Sequence, residues 1–334
     1  MRLSILDQIP RSTHTTNEVA LSESGELAQA AESFGYHRYW IAEHHDLSGL
    51  LCPAPEVLLA YIGAKTHSIR LGAGAILLPH YAPYKVAETF NMLANLFPNR
   101  IDLGLGRSPG GSAEASIALS GNFVERVHTM GARVEELMHF FRQDFPEGHT
   151  YSGLQASPVP FQSPSVWMLG TSKKSATLAA KTATNYAYGH FMKAENGPDV
   201  VARYREQRES APRDTMVAVS ALCADTRDRA HALYRSVQVW QACVNKGKQL
   251  QSIPTEQEAE DYLMALPETE RETILEEKSA AIVGDQDDVK TELERIALLY
   301  EADELMILTH APTFQDRLHS YRLIAEAIPQ LTSF

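Results

Sequence analysis

Cysteine is scarce in this chain. Its 334 residues carry three, Cys52, Cys223 and Cys243, an odd number without ligand-like spacing. A disulfide framework is thereby excluded, and reduced thiols are the simplest account. Positive charge is in deficit as well, with 30 Lys and Arg against 42 Asp and Glu and a net charge of −12. A nucleic-acid backbone or an anionic membrane is therefore not expected as the main partner. No apolar run approaches the ~20 residues that a membrane span needs, and no charged-then-apolar leader precedes Leu3-Ser4-Ile5-Leu6-Asp7. The expectation is a soluble, cytoplasmic protein. HExxH and HxH patterns are missing, and adjacent histidines seldom face one metal, so no metal site is expected. Internal repeats and low-complexity tracts are missing too.

What is present is an ordinary globular composition, 44% hydrophobic and 22% charged, sufficient for a large core. Strand-like and helix-like segments alternate throughout. Strands are predicted at Leu3–Asp7, Arg38–Ala42, Ile69–Leu77, Ile101–Leu105, Val166–Gly170, Asn185–Tyr188, Met216–Ala224 and Glu304–Thr309. Helices are predicted at Asn17–Ser33, after Pro55, at Val86–Leu96, Asn122–Gln143, Thr226–Lys246, Asp287–Tyr300 and Gln315–Ile328. Eight such strands over this length predict a single (β/α)8 TIM barrel across residues 1–334, with an insertion at about 247–278. That insertion reads equally as a lid or as a solvated helical excursion.

In such a barrel the site lies where strands end and βα loops begin, and the chemically able groups fall there. Arg38-Tyr39-Trp40-Ile41-Ala42-Glu43-His44-His45 ends a strand in one acid and two histidines. Side chains alternate on a strand, so His44 and His45 cannot face the same way. One is a candidate base, and Glu43 or the other histidine is its orienter. Gly104-Leu105-Gly106-Arg107-Ser108-Pro109 is not a dinucleotide fingerprint, since Pro109 stands where the third glycine belongs. An amide-rich loop with one guanidinium remains, suited to an anion. Thr171, Ser172 and Ser175 open a helix, where they serve either as caps or as an anion site. Gln8, His80, Tyr81, His190 and Phe191 are candidates for lining a substrate pocket or for packing.

Together these segments resemble the bacterial luciferase-like family of flavin-dependent monooxygenases. The resemblance rests on Trp40–His45, on Gly72-Ala73-Gly74-Ala75-Ile76-Leu77-Leu78-Pro79 and on Asn99–Arg107. Leu169–Ser175 and Asp303–Ile307 fit as well, and Asp7-Gln8 with the run through Gly110 brings the chain close to the single-subunit, non-luminescent members. It implies a luciferase-like barrel that takes FMN, as reduced FMN from a separate flavin reductase, and acts on a small organic substrate with O2 through a C4a-(hydro)peroxyflavin. His44 matches the active-site histidine and Arg107 the flavin-phosphate arginine, with Gly106, Gly170, Thr171, Ser172 and Ser175 around it. Gly74–Ala75 matches a cis peptide under the flavin ring. Helices near 55–65 and 86–96 are implied as a homodimer interface. Gly106 stands where the light-emitting subunit has a reactive cysteine, which argues against aldehyde-dependent light emission. Hydride transfer with deazaflavin F420 on the same barrel, and flavin binding without turnover, are the alternatives.

Overall fold

The computed structural model describes residues 1–208, 214–248, 250–276 and 280–328. Eight parallel strands close a barrel: β1 (Arg2–Asp7), β2 (Arg38–Ile41), β3 (Arg70–Leu77), β4 (Ile101–Gly106), β5 (Ser165–Gly170), β6 (Asn185–Gly189), β7 (Thr215–Cys223) and, eighth in the ring, Glu304–Leu308. Pairing runs in sequence order from β1 to β7, then to the eighth strand and back to β1. A short strand, β8 (Ile282–Gly284), pairs with the last residues of β7 outside that ring, so the eighth barrel strand is β9. The predicted barrel is the one observed.

Alternation along the strands sorts the side chains into two cores. Leu3, Ile5, Tyr39, Ile41, Leu103, Tyr186, Val217, Leu305 and Ile307 face the helices. Leu6, Trp40, Ala42, Trp167, Ala187, Met216, Ala218, Met306 and Leu308 fill the lumen, where Trp40 and Trp167 meet edge to face at 5.5 Å. The lumen is therefore packed, and only its ends are free for chemistry.

Helices cover the outside: α1 (Asn17–Ser33), α2 (Pro55–Gly63), α3 (Pro83–Leu96), α4 (Ala113–Ser120), α5 (Phe123–His128), α6 (Met130–Arg142), α7 (Lys173–Lys181), α8 (Gly197–Gln207), α9 (Arg227–Asn245), α10 (Glu256–Met264), α11 (Glu268–Glu276), α12 (Gln286–Tyr300) and α13 (Phe314–Ala327). Their starts follow local rules. Thr16 caps α1 by accepting from the Val19 N–H, and Pro55, which needs no N–H partner, opens α2. The single helix expected over Asn122–Gln143 is two. Thr129 leaves helical geometry between them, while its N–H and its hydroxyl both reach the Glu125 carbonyl, at 3.0 and 3.1 Å.

The insertion expected at 247–278 forms α10 and α11, apart from residues 249, 277 and 278, which lie outside the described residues. Ala259, Leu263 and Ile274 pack on Val239, Ala242 and Cys243 of α9. Ahead of α10, the Ile253 N–H donates to the Arg11 carbonyl at 3.2 Å, and Arg11 Nε donates to the Gln251 carbonyl at 2.8 Å. The insertion is thus tied to the loop after β1 and braces α9.

Candidate active site at the C-terminal rim

The inward phase that places Trp40 and Ala42 in the lumen carries on to His44. Its backbone N–H donates to the Cys52 carbonyl at 2.9 Å, while its side-chain Nδ1 is buried without a partner. Burial, with a smaller push from the adjacent His45, lowers the His44 pKa to about 4. The imidazole is neutral at physiological pH.

Glu43 and His45 go the other way and brace each other. Glu43 is fully enclosed; its Oε1 lies 2.7 Å from His45 Nε2 and accepts from the Tyr81 hydroxyl at 2.7 Å. Its Oε2 accepts the Leu77 N–H at 3.0 Å. Tyr81 is pushed up by burial and by the Glu43 charge, so its hydroxyl keeps its proton. His45 also meets His80 edge to face at 5.6 Å, and His80 stacks on Phe123 at 4.9 Å. The pair Glu43–His45 is an anchor under the loop that carries His44.

That loop is pressed against the loop after β4. The His45 N–H donates to the Gly110 carbonyl at 2.8 Å. A Cβ on Gly111 would fall 1.7 Å from the His45 carbonyl oxygen, and Gly110 sits at φ +70, so only glycine fits both requirements. The same loop carries Arg107, which is exposed and makes no hydrogen bond or ion pair with another described residue.

The inward positions near the top of β3 and β4 are Gly74 and Gly106, which add no side chain of their own. A Cβ on Gly74 would come within 2.9 Å of the Trp40 ring. The Gly74–Ala75 peptide is cis. Ser172 and Ser175 form a capping box at the start of α7, with the Ser175 Oγ 3.0 Å from the Tyr186 hydroxyl and donating to the Ser172 carbonyl at 2.7 Å. Ser175 is buried in those bonds, whereas Thr171 and Ser172 remain partly open. Tyr186, directly behind them, feels the Arg107 charge.

The other expected pocket residues divide. Gln8 follows β1 in the inward phase, half-buried, and Phe191 packs on the lumen cluster. His190 is in the outward phase: its Nδ1 is 2.8 Å from the Tyr300 hydroxyl, and it lines a cleft of about 480 Å³ with Arg227, Asp288, Glu292 and Arg295. Asp7 also turns outward, accepting from Arg317 at 2.7 Å and from the Ile9 N–H at 2.8 Å.

Two residues at the rim carry no motif and escape sequence reasoning. His310 follows Met306 and Leu308 in the inward phase of β9, and that period is the signal that could have found it. Trp240 projects from α9 and meets the His310 ring edge to face at 5.1 Å. Burial lowers the His310 pKa to about 3, with the charges of Arg317 and His44 adding to it.

A closed parallel barrel with its able groups on one rim, and no helix among the described residues long and apolar enough to cross a membrane, defines an enzyme-like α/β barrel. The chain belongs to the luciferase-like monooxygenase family, whose model matches residues 1–302. It is 39% identical to the uncharacterised protein YwcH of Bacillus subtilis, covering 97% of this chain and 98% of that one. It is 34% identical to the N-acetyl-S-alkylcysteine monooxygenase of the same organism, covering 98% of each. Among solved structures, apo-MsnO8 superposes with a TM-score of 0.88 at 33% identity, covering 98% of each chain. Fold alone is shared, at a TM-score of 0.71 each, with two more distant structures. One is the oxygenating constituent of 3,6-diketocamphane monooxygenase in complex with FMN, 16% identical, covering 98% of this chain and 97% of that one. The other is an F420-dependent secondary alcohol dehydrogenase, 15% identical, covering 98% and 99%. Flavin-type cofactors, FMN or F420, thus occur on this barrel.

Proposed function

We propose that this protein is a flavin-dependent monooxygenase that uses reduced FMN and O2 to oxygenate a small organic substrate. The observation that carries this reading is the pairing, on one rim, of an unpartnered cation, Arg107, with the buried, unpartnered Nδ1 of His44. The residues fit the cofactor. Arg107, with the open hydroxyls of Thr171 and Ser172 at the start of α7, suits a phosphate group. The small residues Gly74, Ala75 and Gly106 at the top of β3 and β4 suit the edge of a flat ring, since larger side chains there would strike Trp40, Leu6 or Leu77 and displace them into the site. The capping box of Ser172 and Ser175, against which Gly170 packs with no room for a Cβ, supports that phosphate end.

Bound reduced FMN supplies the electrons that activate O2, one oxygen atom going to the substrate and the other leaving as water. His44, neutral and enclosed, takes or returns a proton at its unpartnered nitrogen, and the Glu43–His45 pair fixes the loop that presents it. Phe191 and the apolar lumen beneath it exclude water from the reacting face. Reduced flavin comes from a separate reductase in this reading, which accords with the diketocamphane protein being named an oxygenating constituent and not a whole enzyme. Exposed Val57, Tyr61, Met92 and Leu96 on α2 and α3 suit a homodimer, which sedimentation velocity tests directly and a monomer at micromolar concentration overturns.

The decisive experiment is anaerobic titration with reduced FMN, followed by mixing with oxygen and assay of oxygenated product. Arg107→Ala should weaken binding by about 1.5–3 kcal/mol, roughly 10- to 150-fold. His44→Ala should leave affinity within a few fold and remove coupled oxygenation. Equal affinity in Arg107→Ala, or binding of F420 in place of FMN, sinks the proposal.

A further inference from the structure

Outside the residues already assigned to chemistry, the rim holds a second pair of buried polar atoms without partners among the described residues. They are Trp240 Nε1 on α9 and His310 Nε2 beyond β9. Both residues are more than nine-tenths buried, at 7% exposure each, and their rings meet edge to face at 5.1 Å. Met306 and Leu308 set the phase of β9 toward the lumen, so His310 stands directly above the apolar floor that also supports Ala42, Ala218 and Phe191. A proton on His44 would repel one on His310, so the two imidazoles lie within electrostatic reach. A buried polar atom is ordinarily hydrogen-bonded, so each of these two is short of a partner.

We infer that Trp240 and His310 form a substrate subsite beside His44 that selects an uncharged group bearing a hydrogen-bond acceptor, such as an amide or ketone carbonyl. The inference rests on the oxygenase reading above for its substrate, though not for the existence of the subsite. An indole N–H can only donate, so its partner must accept. Imidazole Nε2 adapts its role through its tautomer. Charge is disfavoured here. The ionic groups that His310 feels besides His44 are Arg317 and Asp7, and these are paired with each other at 2.7 Å. Arg317 Nε also donates to the Thr309 carbonyl at 3.3 Å. A carboxylate would thus enter a buried place with no free cation to meet it. The cation of the rim, Arg107, lies on the loop after β4, away from β9 in the strand order. The packing of α10 and α11 on α9 gives the insertion a task, which is to hold the helix that carries Trp240.

The chain has three tryptophans, and Trp40 and Trp167 are sealed inside the barrel, so Trp240 is a built-in reporter. The test is a ¹H–¹⁵N spectrum of the indole signals of the full chain, titrated with N-butylacetamide and separately with hexanoate. The signal assigned by its loss in Trp240→Phe should shift with the amide while the other two stay, and hexanoate should leave it in place. Trp240→Phe and His310→Leu should each weaken amide binding by roughly three- to tenfold, the loss of one hydrogen bond. An unmoved Trp240 signal, or a hexanoate shift at lower concentration than the amide shift, overturns the subsite. Should either variant fail to fold, the wild-type titration still decides. Reduced-FMN titration of the same wild-type sample separates the two readings. Amide binding without flavin binding leaves the subsite and removes the oxygenase, and flavin binding with a silent Trp240 does the reverse.

Discussion

The two ends of the barrel lumen are built on opposite terms. At the N-terminal end, Arg38 reaches Asp102 at 2.7 Å and Glu304 at 3.0 and 3.1 Å, with all three residues almost wholly buried. Arg70 holds the second Asp102 oxygen at 2.5 Å, and Trp40 Nε1 donates to the first at 3.2 Å. Ser4 donates to Glu304, and the Arg38 guanidinium lies 4.9 Å over the Trp167 ring. Every carboxylate oxygen in this plug has a donor. At the C-terminal end, His44, His80, His310 and Trp240 each keep one buried nitrogen without a partner. The first end spends its carboxylates on its own donors, although Arg70 Nε there and Trp167 Nε1 in the lumen have no partner among the described residues, and the second keeps imidazole and indole nitrogens for something that binds. Charge separates the lumen faces of the two ends as well: ions paired with one another close the bottom, whereas the inward groups at the top are the neutral imidazoles of His44 and His310, with the exposed Arg107 guanidinium on the loop after β4.

The sharpest way to break this contrast is to orphan the plug. Arg38→Met should destabilise the fold by about 3–5 kcal/mol in denaturant unfolding, because Asp102 and Glu304 would keep buried charge without their main partner. Desolvation opposes the Asp102 charge, but Arg38 and Arg70 outweigh it and hold its pKa below the usual 3.8. Its stabilising contribution is therefore complete above about pH 4 and lost as pH falls through the lowered folded value. The variant should lose that acid-limb dependence. A change under about 1 kcal/mol would mean that the plug is no stronger than a surface ion pair.

Much of this division is legible in the sequence. Gly72-Ala73-Gly74 and Gly104-Leu105-Gly106 announce a crowded lumen wall, and the rim groups follow from strand ends. His44 and His45 diverge as alternation demands. Other parts follow from the same alternation, which puts Phe191 inward and His190 outward and carries Leu308 on to His310. Some parts were not legible. Nothing in the run before Thr129 separates one helix from two, since the break is a departure of that one residue's backbone from helical geometry. Trp240, on the α9 that α10 and α11 pack against, meets His310 across 70 residues of sequence, a contact between segments with no shared local pattern. Local periodicity reads faces well and long-range docking poorly.

A smaller effect should sharpen the contrast from the other end. Burial favours the neutral imidazole in the folded protein, lowering His310 to about 3 and His44 to about 4 from an ordinary 6.5. Between those limits the unfolded chain binds protons that the folded one refuses, so stability rises with pH through this window. It is fully present above about pH 6.5, falls as pH drops toward the folded values, and loses nothing further below about pH 3. Glutamine fills much of the same space and does not titrate. His310→Gln should therefore flatten the pH dependence of the unfolding free energy by up to about 1.4 kcal/mol per pH unit between roughly pH 6 and 4. The plug's own acid response begins only below about pH 4, so the two ends should appear as separate limbs of one stability curve. An unchanged slope in His310→Gln would mean that His310 titrates in the folded chain as it does in the unfolded one. The rim would then be wet, and its unpartnered nitrogens would be held for solvent rather than for a substrate.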